Sequence, residues 1–120
     1  MVLICVVDDD VSMRSSLGNL LKSLGCHSVG FASGEAFLAS SEVSQAACVL
    51  LDLRMQGMQG LDVLRHLRAS DPHPPVVCMS AHGDQQTVSR VMVAGALAFL
   101  AKPFCEEQLI DALELAGIVI

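Results

Sequence analysis

Apolar residues in this chain gather into five short unbroken runs, and between the runs apolar positions recur every three or four residues. The runs are VLICVV (2–7), HSVGF (27–31, the weakest), ACVLL (47–51), PVVCM (75–79) and LAFL (97–100). Unbroken runs, as opposed to alternating ones, suit strands buried on both faces, as a parallel sheet requires. Met13, Leu17, Leu20, Leu21 and Leu24 share one helical face after the first run, and Gly25 stands where a C-terminal cap belongs. Ser33 is placed to N-cap a short second helix carrying Phe37 and Leu38. Leu61, Leu64 and Leu67 mark a third helix ended by Asp71 and Pro72. Val88, Val91 and Met92 mark a fourth closed at Gly95, and Leu109, Ile110, Leu113 and Ala116 a fifth.

Strand and helix alternate five times, which predicts an α/β fold: a doubly wound sheet with helices on both faces. The 120 residues suffice for one core, expected over residues 1–116. The last four residues, GIVI (117–120), read as a tail or the start of a linker. Doubly wound sheets gather function at the carboxyl ends of their strands, beside the topological switch point. Polar residues should therefore follow the apolar runs. Asp8, Asp9 and Asp10 follow the first, Asp52 the third, Ser80 the fourth, and Lys102-Pro103 the fifth after Ala101.

Composition narrows the function. A formal net charge of −6 gives this segment no electrostatic footprint for nucleic acid. Four Phe with no Trp or Tyr remove the stacking platform of single-strand binders. No apolar run approaches the ~18–20 residues of a membrane span, and Val2 to Val7 is too short for a secretory leader, so a cytoplasmic protein is expected. Five cysteines without a C-x-x-C argue against a disulfide framework or zinc site. Cys5, Cys48 and Cys78, inside apolar runs, read as small buried hydrophobes.

The strand-end residues form a set that suits phosphoryl transfer to a carboxylate. Carboxylates brought within ~4–6 Å repel and raise each other's pKa values, and a hard cation with oxygen ligands, such as Mg²⁺, relieves this. The cation and Lys102 would neutralise an incoming phosphoryl group while Ser80 donates a hydrogen bond to it. Asp52, standing alone after the central run, is the natural nucleophile and would give an acyl phosphate. Asp10, beside the first helix, suits an N-cap.

Four pieces, set in order on the alternating pattern, carry a resemblance to a known family: VVDDDVSMR (6–14), LLDLRMQGMQGLDVL (50–64), MSAHGD (79–84) and AGALAFLAKPF (94–104). The chain resembles the response regulator receiver (CheY-like) family over essentially its whole length, most of all receivers of the FixJ type. The resemblance implies a flavodoxin-like (βα)₅ domain with strand order 2-1-3-4-5. It implies Asp52 as phospho-acceptor and a Mg²⁺ (or Mn²⁺) site of Asp8, Asp9, Asp52 and the backbone carbonyl of Arg54, with Asp9 the direct ligand of the acidic pair. Ser80 and Phe99 match the switch hydroxyl and switch aromatic. Lys102 matches the phosphoryl-contacting lysine, and its bond to Pro103 is expected to be cis. The expected partner is a histidine kinase or histidine phosphotransfer protein, docking around Ser12, Met13, Ser16 and the Pro103-Phe104 loop. The expected output is a change in the fourth-helix and fifth-strand surface that controls transcription. The apolar residues Val93, Ala98 and Ala101 would form a phosphorylation-dependent homodimer there.

Two positions depart from the family pattern. Gln56 occupies the proline of the R-M-P motif, which should loosen the loop after Asp52, and Cys105 replaces the usual polar N-cap of the fifth helix, at ~1 kcal/mol. His82, within SAHGD, reads as a loop residue without a proton-transfer role. Two rival readings stand beside the favoured one. A haloacid-dehalogenase-like phosphohydrolase would use Asp8 as nucleophile and Asp10 as acid. A receiver-shaped binding module would never be phosphorylated.

Overall fold

The computed structural model describes residues 2–70 and 72–120. Five strands, β1 (Leu3–Val7), β2 (His27–Phe31), β3 (Cys48–Asp52), β4 (Val76–Ser80) and β5 (Ala98–Ala101), form one sheet. All pairings are parallel and the order is β2-β1-β3-β4-β5. Helices α1 (Val11–Ser23), α2 (Gly34–Leu38), α3 (Gly60–Arg68), α4 (Gln85–Val93) and α5 (Glu106–Leu115) connect and cover it. A 3-10 turn at Ser41–Ser44, which the apolar pattern did not mark, precedes β3.

Successive side chains of a strand point to opposite faces, so an unbroken apolar run feeds two cores. Ile4, Val6, Leu50, Val77 and Met79 pack with Leu17 and Leu21 of α1 and Leu109 and Leu113 of α5. Cys5, Val7, Val49, Leu51 and Cys78 pack on the other face with Phe37, Val63, Leu64, Leu67 and Val91 of α2, α3 and α4. Every residue of β3 and β4 is buried, whereas the edge strands β2 and β5 are partly exposed.

The caps agree with the sequence reading. Asp10 Oδ1 accepts the backbone N–H groups of Ser12 (2.9 Å) and Met13 (3.4 Å), and Ser33 Oγ that of Ala36 (3.1 Å). Gly25, with φ of 83°, follows α1 while the Cys26 N–H closes onto the Leu21 carbonyl. At Cys105 the missing polar cap is partly offset, because Gln108 Oε1 accepts the Cys105 backbone N–H at 2.9 Å.

Several expectations shift. Asp52 and Ser80 are the last residues of β3 and β4 themselves, paired with Met79 and Ala101 across the sheet. Met92, expected on the packed face of α4, is exposed, because α4 lies over the sheet on Val91. Within the apolar tail, Ile118 is buried in the α1–α5 core and its N–H reaches the Leu113 carbonyl at 3.1 Å. The third helix ends at Arg68, and Asp71, expected to help end it, lies outside the described residues. Among the described residues, no helix is long and apolar enough to cross a membrane.

Candidate functional site

Three polar residues are buried among the described residues, Asp8, Asp52 and Ser80, and all lie at the carboxyl end of the sheet. The strand order explains their convergence. β1 and β3 are neighbours although α1, β2 and α2 intervene in sequence, so Asp8 beyond β1 comes beside Asp52 of β3. Ser80 and Lys102 arrive from the next two strands, β4 and the loop after β5.

Lys102 ties the set together. Its Nζ lies 2.8 Å from Asp8 Oδ2 and 3.3 Å from Asp52 Oδ1, and Asp8 is fully buried. Burial alone would lower the Lys102 pKa. The Asp8 hydrogen bond and the Asp52 and Asp8 charges outweigh it and hold the ammonium above its ordinary value. Asp52 is pushed upward, first by burial and then by the Asp8 charge, against Lys102 and the Arg54 backbone amide. Two carboxylates thus share one ammonium, leaving an uncompensated negative charge in a buried place.

Asp9 completes the acidic group. Oxygens of Asp8, Asp9 and Asp52 lie within 4.8 Å of one another, two of the residues buried and Asp9 exposed. An all-oxygen donor set with surplus negative charge fits a hard divalent cation such as Mg²⁺ or Mn²⁺. Arg54, two residues beyond Asp52, lines with Asp9 and Gln56 a hollow of about 670 Å³ that opens toward Thr87 and Arg90 of α4.

Ser80 Oγ accepts the backbone N–H of His82 at 3.0 Å. His82 contributes here through its main chain, and its side chain is exposed in the loop. Phe99 of β5 is half-buried, and a Cβ on Gly83 would stand 2.9 Å from the ring, so the ring lies directly beneath that loop. The Lys102-Pro103 bond is cis. Asp10 caps α1 through Oδ1, as its place before the first helix predicts.

Two contributions were not legible as site features. The Arg14 guanidinium turns inward and donates to the Asp8 carbonyl at 2.6 Å, its stem crossing Gly30 of β2 where a Cβ would meet Arg14 Cδ at 3.2 Å. Arg14 therefore braces the acidic loop. The Gln56 backbone N–H donates to Asp9 Oδ2 at 3.2 Å. Neither bond has a pattern in sequence, because each joins a main-chain group to a side chain from another turn. Gly60 shows a third such constraint: its missing Cβ is what lets the start of α3 pack against the Asp52 carbonyl and the Leu53 Cα.

Comparison with known proteins gives a consistent picture. The family model of the response regulator receiver domain matches residues 4–114. Nodulation protein W of Bradyrhizobium diazoefficiens is 40% identical over 110 residues, covering 92% of this chain and 48% of that protein. The transcriptional regulatory protein FixJ of the same bacterium is 37% identical over 113 residues, covering 94% and 55%. The chain spans about half the length of the curated relatives it matches. The crystal structure of FixJ-N superposes with a TM-score of 0.87 at 32% identity, covering 100% of this chain and 98% of that one.

Proposed function

Since this chain belongs to the response regulator receiver family of two-component systems, we propose that it takes a phosphoryl group on Asp52 in a Mg²⁺-dependent (or Mn²⁺-dependent) reaction. The observation that carries this reading is the Asp8–Lys102–Asp52 arrangement, a buried carboxylate beside a single ammonium at the end of the central strand. An Asp52 carboxylate oxygen attacks the phosphorus of a phosphohistidine on a histidine kinase or phosphotransfer protein. A P–O bond forms, the P–N bond breaks, and the donor imidazole keeps the electron pair and takes up a proton. Lys102 can follow the charge from the Asp52 carboxylate onto the phosphoryl oxygens. Asp8, Asp9, Asp52 and the Arg54 carbonyl would hold the cation, which supplies positive charge opposite Lys102.

The donor partner would dock beside the site. A depression of about 370 Å³ lined by Met13, Ser16, Leu20, Pro103 and Phe104 adjoins Lys102 and supports that placement. Ser80 would leave its bond with the His82 amide for the phosphoryl group, and Phe99 would move with it, changing the α4–β5 surface. Val93, 89% exposed, and Met92 beside it on α4 are apolar side chains open to solvent, which supports a homodimer contact through this helix. The output would be transcription, controlled in the cytoplasm through another segment or a partner, since this acidic domain offers no surface for nucleic acid.

Intact-mass spectrometry after incubation with acetyl phosphate and Mg²⁺ tests the reading. A metal-dependent, acid-stable and base-labile gain of one phosphoryl group is expected, absent in Asp52→Asn. Sedimentation of the same samples should show dimer in the phosphorylated protein and monomer in Val93→Glu. A phosphoryl adduct that survives Asp52→Asn and disappears in Asp8→Asn would overturn the assignment of the acceptor.

A further inference from the structure

We propose that the main-chain amide of Gln56 is a positioning group for Asp9, setting how tightly the divalent cation is held. The inference rests on the metal-dependent reading above and deepens it. Asp8 is fixed on several sides: Lys102 holds Oδ2 at 2.8 Å and the Asp10 N–H holds Oδ1 at 2.9 Å. Asp52 is held by Lys102. Asp9 is exposed and does not reach the lysine. Among the described residues, the hydrogen bond its carboxylate receives is the one from the Gln56 N–H, 3.2 Å to Oδ2 from 47 positions away in sequence.

That bond depends on which residue type stands at position 56. The receiver motif that this chain otherwise matches carries proline there, and proline has no N–H to donate. The Gln56 side chain is exposed, so the backbone is the part that acts. With Oδ2 engaged, the second Asp9 oxygen is left free and the carboxylate is held toward Asp8 and Asp52. A cation arriving there has one less rotor to order. The same bond ties the loop after β3 to the loop after β1, so ligands from both are held together before the cation binds. Outer-sphere hydrogen bonds of this kind orient metal ligands, and their loss typically weakens binding by roughly 10–100-fold. Here the bond is long and solvent-exposed, so a loss of about fivefold is expected.

Calorimetric Mg²⁺ titration of the unphosphorylated protein separates backbone from side chain. Gln56→Pro should weaken Mg²⁺ binding by about fivefold, while Gln56→Ala, which keeps the N–H, should leave it unchanged. Equal weakening in both variants, or unchanged binding in Gln56→Pro, overturns the proposal. The metal-free wild type provides a second reading that needs no folded proline variant. Its residue 56 amide should exchange with deuterium about tenfold more slowly than in Asp9→Ala, and equal exchange overturns the proposal. Amide protection in a wild type that binds no Mg²⁺ would overturn the metal-site reading and the proposal's effect on affinity, while leaving the Asp9 contact itself intact.

Discussion

The strands carry two kinds of buried titratable group, and the fold treats them oppositely. Cys5, Cys48 and Cys78 lie along β1, β3 and β4 among aliphatic side chains, fully buried. Burial pushes Cys48 and Cys78 up to about 12 and Cys5 to about 11, so they stay neutral and pack as hydrophobes. Asp8 and Asp52, toward the carboxyl end of the same strands, are buried almost as completely. There the chain supplies an ammonium from the loop after β5 and a backbone donor from the loop after β1, so both carboxylates have partners. Burial alone therefore does not make a site. Chemistry resides where buried ionisable groups have been given partners, and the parallel sheet collects those partners because its strand ends share one edge.

Removing Lys102 breaks this contrast most strongly. Lys102→Ala leaves the Asp8 and Asp52 carboxylates facing each other with their shared counter-charge gone. Breaking a buried ion pair by losing one partner costs about 3–5 kcal/mol. Lys102 retains some exposure, 19%, so a loss of about 2–3 kcal/mol is expected by urea unfolding at neutral pH without metal. Added Mg²⁺ should restore part of it, since a ligand that binds the folded state stabilises it. Unchanged stability would mean that the ammonium does not hold the carboxylates together.

Asp52→Asn sharpens the contrast in the other direction. Removing one of two carboxylates that share an ammonium should stabilise the metal-free protein by about 1–2 kcal/mol while abolishing phosphorylation, as strained functional sites commonly trade stability for activity. The pH dependence fixes the cause. The Asp52 pKa is raised in the fold above its ordinary 3.8, by burial first and then by the Asp8 charge, so the folded chain holds that proton more tightly than the unfolded chain does. Wild-type stability from this group is present below 3.8 and is lost as pH rises through the raised value. The advantage of Asp52→Asn should accordingly shrink on acidification, and a constant advantage from neutral pH downward would point to packing instead of charge.

How much of this was readable in advance follows from where each signal sits. Asp8, Asp52, Ser80 and Lys102 each follow an apolar run, so a local pattern announces them and the parallel topology does the rest. β2, weak as a run, was found with its bounds intact, HSVGF at 27–31. The helix faces were less legible. Met92 fits the spacing of Val88 and Val91 yet is exposed, because α4 rests on the sheet through Val91. Ile118 looks like a fraying tail yet completes the α1–α5 core, because the Gly117 turn directs it back. Arg14 and Gln56 were hidden for a deeper reason: their functional contacts run to or from main-chain atoms, which every residue carries and no composition reveals.

The smallest effect belongs to the thiols, and it tests whether they are as inert as their surroundings imply. Cys48→Ala removes one sulfur from a filled core and should cost about 1 kcal/mol at pH 7, at the low end for such truncations. Above the ordinary thiol value of 9.0 the unfolded chain releases the Cys48 proton, while the folded chain keeps it up to about 12. The unfolded state then binds fewer protons than the native state, so wild-type stability falls with rising pH, by about 1 kcal/mol per pH unit for each such thiol. Cys48→Ala lacks that term, so its deficit at pH 7 should close by about pH 10. That window lies below the 10.5 at which Lys102 ordinarily titrates, and Lys102 is held higher still. Urea midpoints at pH 7, 9 and 10 decide the matter. Convergence of the two proteins means a thiol kept neutral by burial alone, whereas parallel curves mean that Cys48 ionises within the fold, and the opposition between silent thiols and supported carboxylates would then fail at β3.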